Sequence, residues 1–127
     1  MKNIAISENH LYKKVYAKGT KAFCKHIVVY VLTDYHASRL ARENPLKTKV
    51  NRVGITVPKK LGKAVVRSRV RRIVREGYRL ADKENNIRKG KLVVIVARDS
   101  AATAKSTEIK AELVRAFGEL GMILEEQ

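Results

Sequence analysis

Residues 92 to 97, Leu-Val-Val-Ile-Val-Ala, form an unbroken apolar run of strand length. A strand exposed to water on one face alternates apolar and polar side chains. An unbroken run predicts a central strand covered on both faces. The chain must therefore supply enough amphipathic helix to cover two sides of a sheet. With 127 residues, 45% of them hydrophobic, it has material for one modest core and one domain, residues 1–127.

The remaining elements follow from periodicity. Residues 8 to 18 place Leu11 and Val15, with Tyr12 and Tyr16 beside them, at helical spacing before Gly19, which predicts a first helix. Residues 23 to 32 are β-branched and aromatic and predict a strand. Residues 33 to 48, with Pro45, predict a long connection, and 49 to 57 a second strand closed by Pro58. A helix is predicted over about 63 to 81, followed by a polar connection over 82 to 91. A last helix starts near 106, with Ser106 or Thr107 as its cap, and Gly121 ends it. Its apolar stripe is Ile109, Leu113, Ala116, Phe117 and Leu120. The order is helix, strand, strand, helix, strand, helix, a sheet with helices packed on it. A strand–helix–strand unit joining parallel strands is right-handed by general rule.

The helix over 63 to 81 carries the chemistry. Between Lys59 and Arg79 lie nine basic residues and one acid, Glu76, a net charge of +8 out of the chain's +16. At about 100° per residue, Val66, Val70, Ile73, Val74, Gly77, Leu80 and Ala81 share one sector. Arg67, Arg71, Arg72, Arg75 and Arg79 occupy the opposite side, with Arg69 toward its margin. The plain alternative is a solvated charged face. Such faces usually mix signs, whereas Arg67–Arg71, Arg71–Arg75 and Arg75–Arg79 are like-charge pairs at i, i+4, each costing about 0.2–0.5 kcal/mol. Arginine also presents a planar fork suited to phosphate. Lys59, Lys60 and Lys63 lie beside the helix start, where free N–H groups favour anions. The expected partner is nucleic acid, because a basic surface gains free energy by displacing the counterions of a polyanion.

Other chemistries find less support. Cys24 is the only cysteine, which excludes an internal disulfide and a Cys-based zinc site, and it reads as a small buried thiol. His10, His26 and His36 are isolated in sequence, and Glu119, Glu125 and Glu126 sit near the tail. No metal-ligand spacing or phosphate-cradling glycine loop is present, so the expectation is no catalytic residue, no metal ligand and no cofactor of the chain's own. No long apolar stretch or signal-peptide pattern appears, and the expected compartment is the cytoplasm, without a membrane partner.

The run RVGITVPKKLGKAVVRSRVRRIVREGYR, Arg52 to Arg79, resembles the signature of the bacterial ribonuclease P protein. LYKKVYAKG near the start and KLVVIVARDSA over 91 to 101 are similar to that family's first helix and later strand. Three departures stand out: Ser68 replaces the Asn of the arginine motif, Pro58 replaces a small polar residue, and NIAISENH replaces a Lys/Arg-dense leader. The resemblance implies an α/β sandwich (α+β class) with a mostly four-stranded central sheet, three helices and an unusual left-handed crossover, like domains of ribosomal proteins and elongation factor G. It implies an RNA-binding subunit of an endonuclease that removes the 5′ leader of precursor tRNA. The catalytic centre then lies in ribonuclease P RNA, which works with magnesium, and no protein partner is required. Carried over by position, Arg67, Ser68, Arg69, Arg71, Arg72 and Arg75 contact RNA, and Tyr12, Tyr16 and Tyr30 contact the leader. Tyrosines next to lysines can stack on unpaired bases; packing of the first helix onto the sheet is their other reading. A ribosomal-type structural RNA-binding protein fits the composition equally well. A DNA-reading helix would mix Asn or Gln among its arginines.

Overall fold

A computed structural model describes residues 4–6, 9–33, 51–85 and 87–123. The chain runs β1 (Ile4–Ala5), α1 (Asn9–Lys18), β2 (Thr20–Phe23), β3 (Ile27–Thr33), β4 (Arg52–Thr56), α2 (Ala64–Glu84), β5 (Lys91–Ala97) and α3 (Ser106–Glu119). Short 3-10 turns at Lys59–Leu61 and Asp99–Thr103 precede α2 and α3. Four main strands and the two-residue β1 form one mixed sheet in the order β1-β4-β5-β3-β2. β4 is parallel to β1 and β5, while β3 is antiparallel to β5 and β2. The α+β class and the central position of 92–97 are as expected. The connection predicted over 33 to 48 falls almost wholly outside the described residues.

β5 is covered twice, as its composition requires. Val93 and Ile95 join a large core with Ile27, Val29 and Val31 of β3, Val70 and Val74 of α2, and Ile109, Leu113 and Phe117 of α3. Leu92 and Val94 face the other way, onto Ile6 and the α1 residues Leu11 and Val15. Among the described residues, α2 and α3 lie side by side on one face, and α1 alone takes the other.

The β4–α2–β5 crossover is left-handed, and its hand follows from chirality. Viewed from the α1 side with β4 pointing up, an L-residue whose side chain faces the viewer directs its N–H to the right. Ile6 faces α1 and donates its N–H to the Val53 carbonyl at 3.1 Å. β4 therefore stands to the right of β1, and β5 to the right of β4. α2 returns behind the sheet, which makes a left-handed turn. The general right-handed rule fails here because a right-handed return would drive α2 onto the face that α1 already covers. The left-handed path sets its apolar side against α3.

Several boundaries differ from expectation. The predicted strand over 23 to 32 is two strands, broken by a turn in which the Cys24 N–H donates to the Ile27 carbonyl at 2.9 Å. α2 continues to Glu84, through residues predicted as connection. The cap position of α3 is Lys105, one residue before Ser106, and its N–H donates to Glu108 Oε1 at 3.1 Å. Cys24 is buried, as expected.

Candidate nucleic-acid interface

The arginines of α2 have different fates, set by their angle around the helix. Val70, Val74, Gly77, Tyr78 and Ala81 are buried and define the inward side. Tyr78 falls by angle among the arginines, yet its ring packs edge-on against Phe117 with centroids 6.1 Å apart. Burial pushes its phenol up to about 12. Asn51, also buried, braces this corner: its Nδ2 donates to Tyr78 Oη at 3.3 Å and to the Arg88 carbonyl at 3.0 Å, and its Oδ1 accepts the Lys91 N–H at 3.0 Å.

Arg69, on the opposite flank, donates from both terminal nitrogens to the Ala102 and Ala104 carbonyls, each at 2.9 Å. Its guanidinium is spent on holding the turn before α3. Arg79 pairs with Glu76 through two bonds of 2.9 and 2.6 Å, and this partner holds the Glu76 carboxyl below its usual range. Arg67, Arg71, Arg72 and Arg75 make no ion pair with any described carboxylate. Arg72 and Arg75 are exposed, with Ser68 between them on the outward side. Arg67 and Arg71 are half-buried, and Arg67 Nε is buried without a hydrogen-bond partner. Lys59, Lys60 and Lys63 are exposed around the start of α2, and Lys60 Nζ lies 3.6 Å from Asp99.

The tyrosines gather on the other face of the sheet. Tyr12 and Tyr16 of α1 have ring centroids 6.5 Å apart, and Tyr16 meets Tyr30 of β3 at 5.1 Å, edge to face. Tyr16 is 41% exposed, and its hydroxyl shares a 3.0 Å hydrogen bond with Thr56 Oγ1 of β4. Tyr12 lies across Gly54, where a Cβ would sit 2.4 Å from its hydroxyl. Glycine is therefore required for the ring to reach the sheet. Burial raises the Tyr12 phenol, and the neighbouring Tyr16 adds to the effect. The three rings thus form one continuous strip beside a row of the sheet that α1 leaves partly open. That row runs Phe23, Val28, Val96, Thr56 across β2, β3, β5 and β4. Sequence reasoning missed Gly54, Thr56 and Phe23 as members of this surface. Alternation along β4 was available to find the first two, but only with the register known.

His26 is less isolated than its sequence position suggested. It is buried, with Nδ1 2.8 Å from Ser100 Oγ, Nε2 3.3 Å from Glu108 Oε2, and its backbone N–H donating to Glu112 Oε1 at 2.7 Å. A Ser–His–Glu trio suggests a hydrolase, but Ser100 Oγ donates to the Lys25 carbonyl at 2.8 Å. The trio is a bracket that ties the β2–β3 turn to α3. His36, Glu125 and Glu126 lie outside the described residues. Among the described residues no group of three His, Cys, Asp or Glu is placed to hold a metal ion, and no helix is long and apolar enough to cross a membrane.

The comparisons with known proteins agree with this geometry. A statistical description of the Ribonuclease P family matches residues 1–121. The ribonuclease P protein component of Clostridium acetobutylicum is 34% identical over 124 residues, covering 98% of this chain and 94% of that one. The one from Clostridioides difficile is 37% identical over 98 residues, covering 77% of this chain and 75% of that one. Among solved structures, the Staphylococcus aureus RNase P protein superposes with a TM-score of 0.73 at 24% identity, covering 97% of this chain and all of that one. The Thermotoga maritima protein does so with 0.63 at 21%, covering 82% and 86%. These last two show the fold, and the closer relatives and the family match show the lineage. This chain belongs to the ribonuclease P protein family, the protein component of a ribonucleoprotein endoribonuclease of tRNA processing.

Proposed function

We propose that the chain, acting as one domain over residues 1–127, binds ribonuclease P RNA through α2 and the 5′ leader of precursor tRNA through the tyrosine face. The observation that carries this reading is the set of four α2 arginines, Arg67, Arg71, Arg72 and Arg75, without a partner among the described carboxylates. Guanidinium groups left in this state meet phosphate without first breaking a bond within the protein. Ser68 and the lysines Lys59, Lys60 and Lys63 extend the same contact. Arg69 stabilises the turn before α3 instead and leaves the set of RNA contacts proposed from sequence.

The leader reading rests on ring placement. Tyr12, Tyr16 and Tyr30 offer stacking surface on a half-open sheet, and exposed Lys13 and Lys14 of α1 supply charge close by. A single-stranded leader has unstacked bases to place on such rings. A structural RNA-binding protein of the ribosome has no need of that surface. The catalytic centre lies in the RNA, and magnesium bound there would supply Lewis-acid chemistry for the hydrolysis. This chain raises substrate affinity and so the productive use of that metal. The setting is the bacterial cytoplasm.

The test is reconstitution. Purified protein, a bacterial ribonuclease P RNA and precursor tRNA are mixed at low magnesium, and mature 5′ ends are counted with each component left out. Cleavage is expected to need the RNA always and the protein when magnesium is scarce. Cleavage by the protein alone would overturn the proposal.

A further inference from the structure

Phe23 is an aromatic ring placed where folding does not need it. It ends β2, the outer strand of the sheet, and is 61% exposed. Its register partner Val28 is buried with its side chain on the tyrosine face, since Val28 pairs with Val96 and alternates with Tyr30 along β3. Lys21 pairs with Tyr30, so Phe23 is the diagonal neighbour of Tyr30, about 7–8 Å away by sheet geometry. The rings of Tyr12, Tyr16, Tyr30 and Phe23 therefore follow one another from β4 to β2, the outer strand among the described residues. Lys21 Nζ stands 5.5 Å from the Phe23 ring centroid, and Lys25 is exposed in the turn that follows.

We propose that Phe23 is a further stacking station for single-stranded RNA, taking a leader base beyond those held by the tyrosines. This rests on the leader reading above. An exposed phenyl ring with one ammonium group over it and a second lysine in the next turn matches the two needs of a single strand, a π-face for the base and cations for the neighbouring phosphates. The hydrophobic effect alone gives no reason to keep the ring in water, where burial would stabilise it. Because Phe23 lies at the sheet edge opposite the Lys59–Lys63 loop, its contact is gained only by leaders long enough to cross the sheet. Short leaders never reach it.

The experiment uses the assembled holoenzyme and precursor tRNAs whose leaders are shortened one nucleotide at a time. Phe23→Ala should weaken binding about fivefold, the lower end of what one stacked base contributes, and only for leaders beyond a threshold length. Tyr16→Ala should act from a shorter length onward. Phe23→Leu should behave as Phe23→Ala, because it keeps apolar bulk and loses the ring. The chain has no tryptophan, so Phe23→Trp adds a single fluorophore, whose emission long leaders should quench and short ones should not. Equal affinity of Phe23→Ala and wild type at every length, with Tyr16→Ala still impaired, overturns the Phe23 station and leaves the tyrosine cleft standing. If neither variant responds to leader length, the leader reading itself fails. A change in holoenzyme self-association with leader affinity intact would make Phe23 a protein contact and overturn the proposal.

Discussion

The two faces of the sheet hold RNA-binding chemistry in opposite ways. Behind it, α2 and α3 bury a continuous core, and the basic groups stand on the convex outer side of a helix. In front, α1 is short and covers only part of the sheet, so among the described residues its rings Tyr12 and Tyr16 join Tyr30 and the open row of the sheet in one surface. Charge on a convex helix suits a rigid, phosphate-rich scaffold and reads no sequence. Rings on a half-covered sheet suit a flexible strand with bare bases. In the proposed function the scaffold contact and the substrate contact fall on different faces, and among the described residues one of these faces carries two helices and the other one.

If that division is right, the faces should also differ in stability. Phe117→Ala removes a fully buried ring from the core shared by α2, α3 and the sheet. It should cost about 3–5 kcal/mol in urea unfolding. Leu11→Ala, on the α1 face, should cost about 2 kcal/mol, because a small cluster open on one side relaxes into the space. Equal costs would mean that the α1 face is as tightly built as the other, which would contradict a half-open substrate surface.

The arginines provide a sharper comparison. Arg69→Ala removes two charge-assisted hydrogen bonds to the Ala102 and Ala104 carbonyls. Stability should fall by about 2 kcal/mol, while the salt dependence of RNA binding stays close to wild type. Arg67→Ala combined with Arg71→Ala relieves a like-charge pair and should leave stability within about 0.5 kcal/mol. The same double variant should weaken RNA binding and flatten its salt slope by about one unit per arginine. An Arg69→Ala protein whose slope flattens as much as the double variant's would refute the split between structural and RNA-facing arginines.

Much of this arrangement was legible in the sequence wherever the signal was local. Helical periodicity placed α2 and α3, the apolar run placed β5, and the single-sided arginines announced a polyanion. What escaped depends on partners far along the chain. The turn at Cys24–His26 has no glycine, proline, asparagine or aspartate to mark it, and it is held by Glu112, which lies 86 residues away. The outward angle of Arg69 was readable, but the carbonyls that capture it follow β5. The end of α2 was set too early because Asp82 and Lys83 look like a loop. Asp82 instead serves the helix, its carboxylate accepting a bond from Lys89 at 2.6 Å. The crossover's hand follows from α1 claiming one face first, a competition between elements that no single segment records.

Tyr78 tests the comparison at its boundary, since it is the one tyrosine on the arginine helix and the only one there folded into the core. Near neutral pH, Tyr78→Phe should cost about 0.5–1 kcal/mol, because Asn51 Nδ2 keeps its bond to the Arg88 carbonyl. The alkaline range is more telling. Burial raises the folded-state phenol to about 12 from an ordinary value of 10. Below pH 10 the phenol is protonated in both folded and unfolded chains. Between pH 10 and 12 the unfolded chain releases this proton while the folded one retains it, so the stability that Tyr78 contributes is lost as pH rises through that window. Unfolding curves for wild type and Tyr78→Phe should therefore converge above pH 10, and the variant should become the more stable chain near pH 12. Parallel curves across the window would mean that the Tyr78 hydroxyl reaches water in the folded protein. The ring would then belong with the outward groups of α2, and the line drawn here between the helix's core side and its RNA side would have to move.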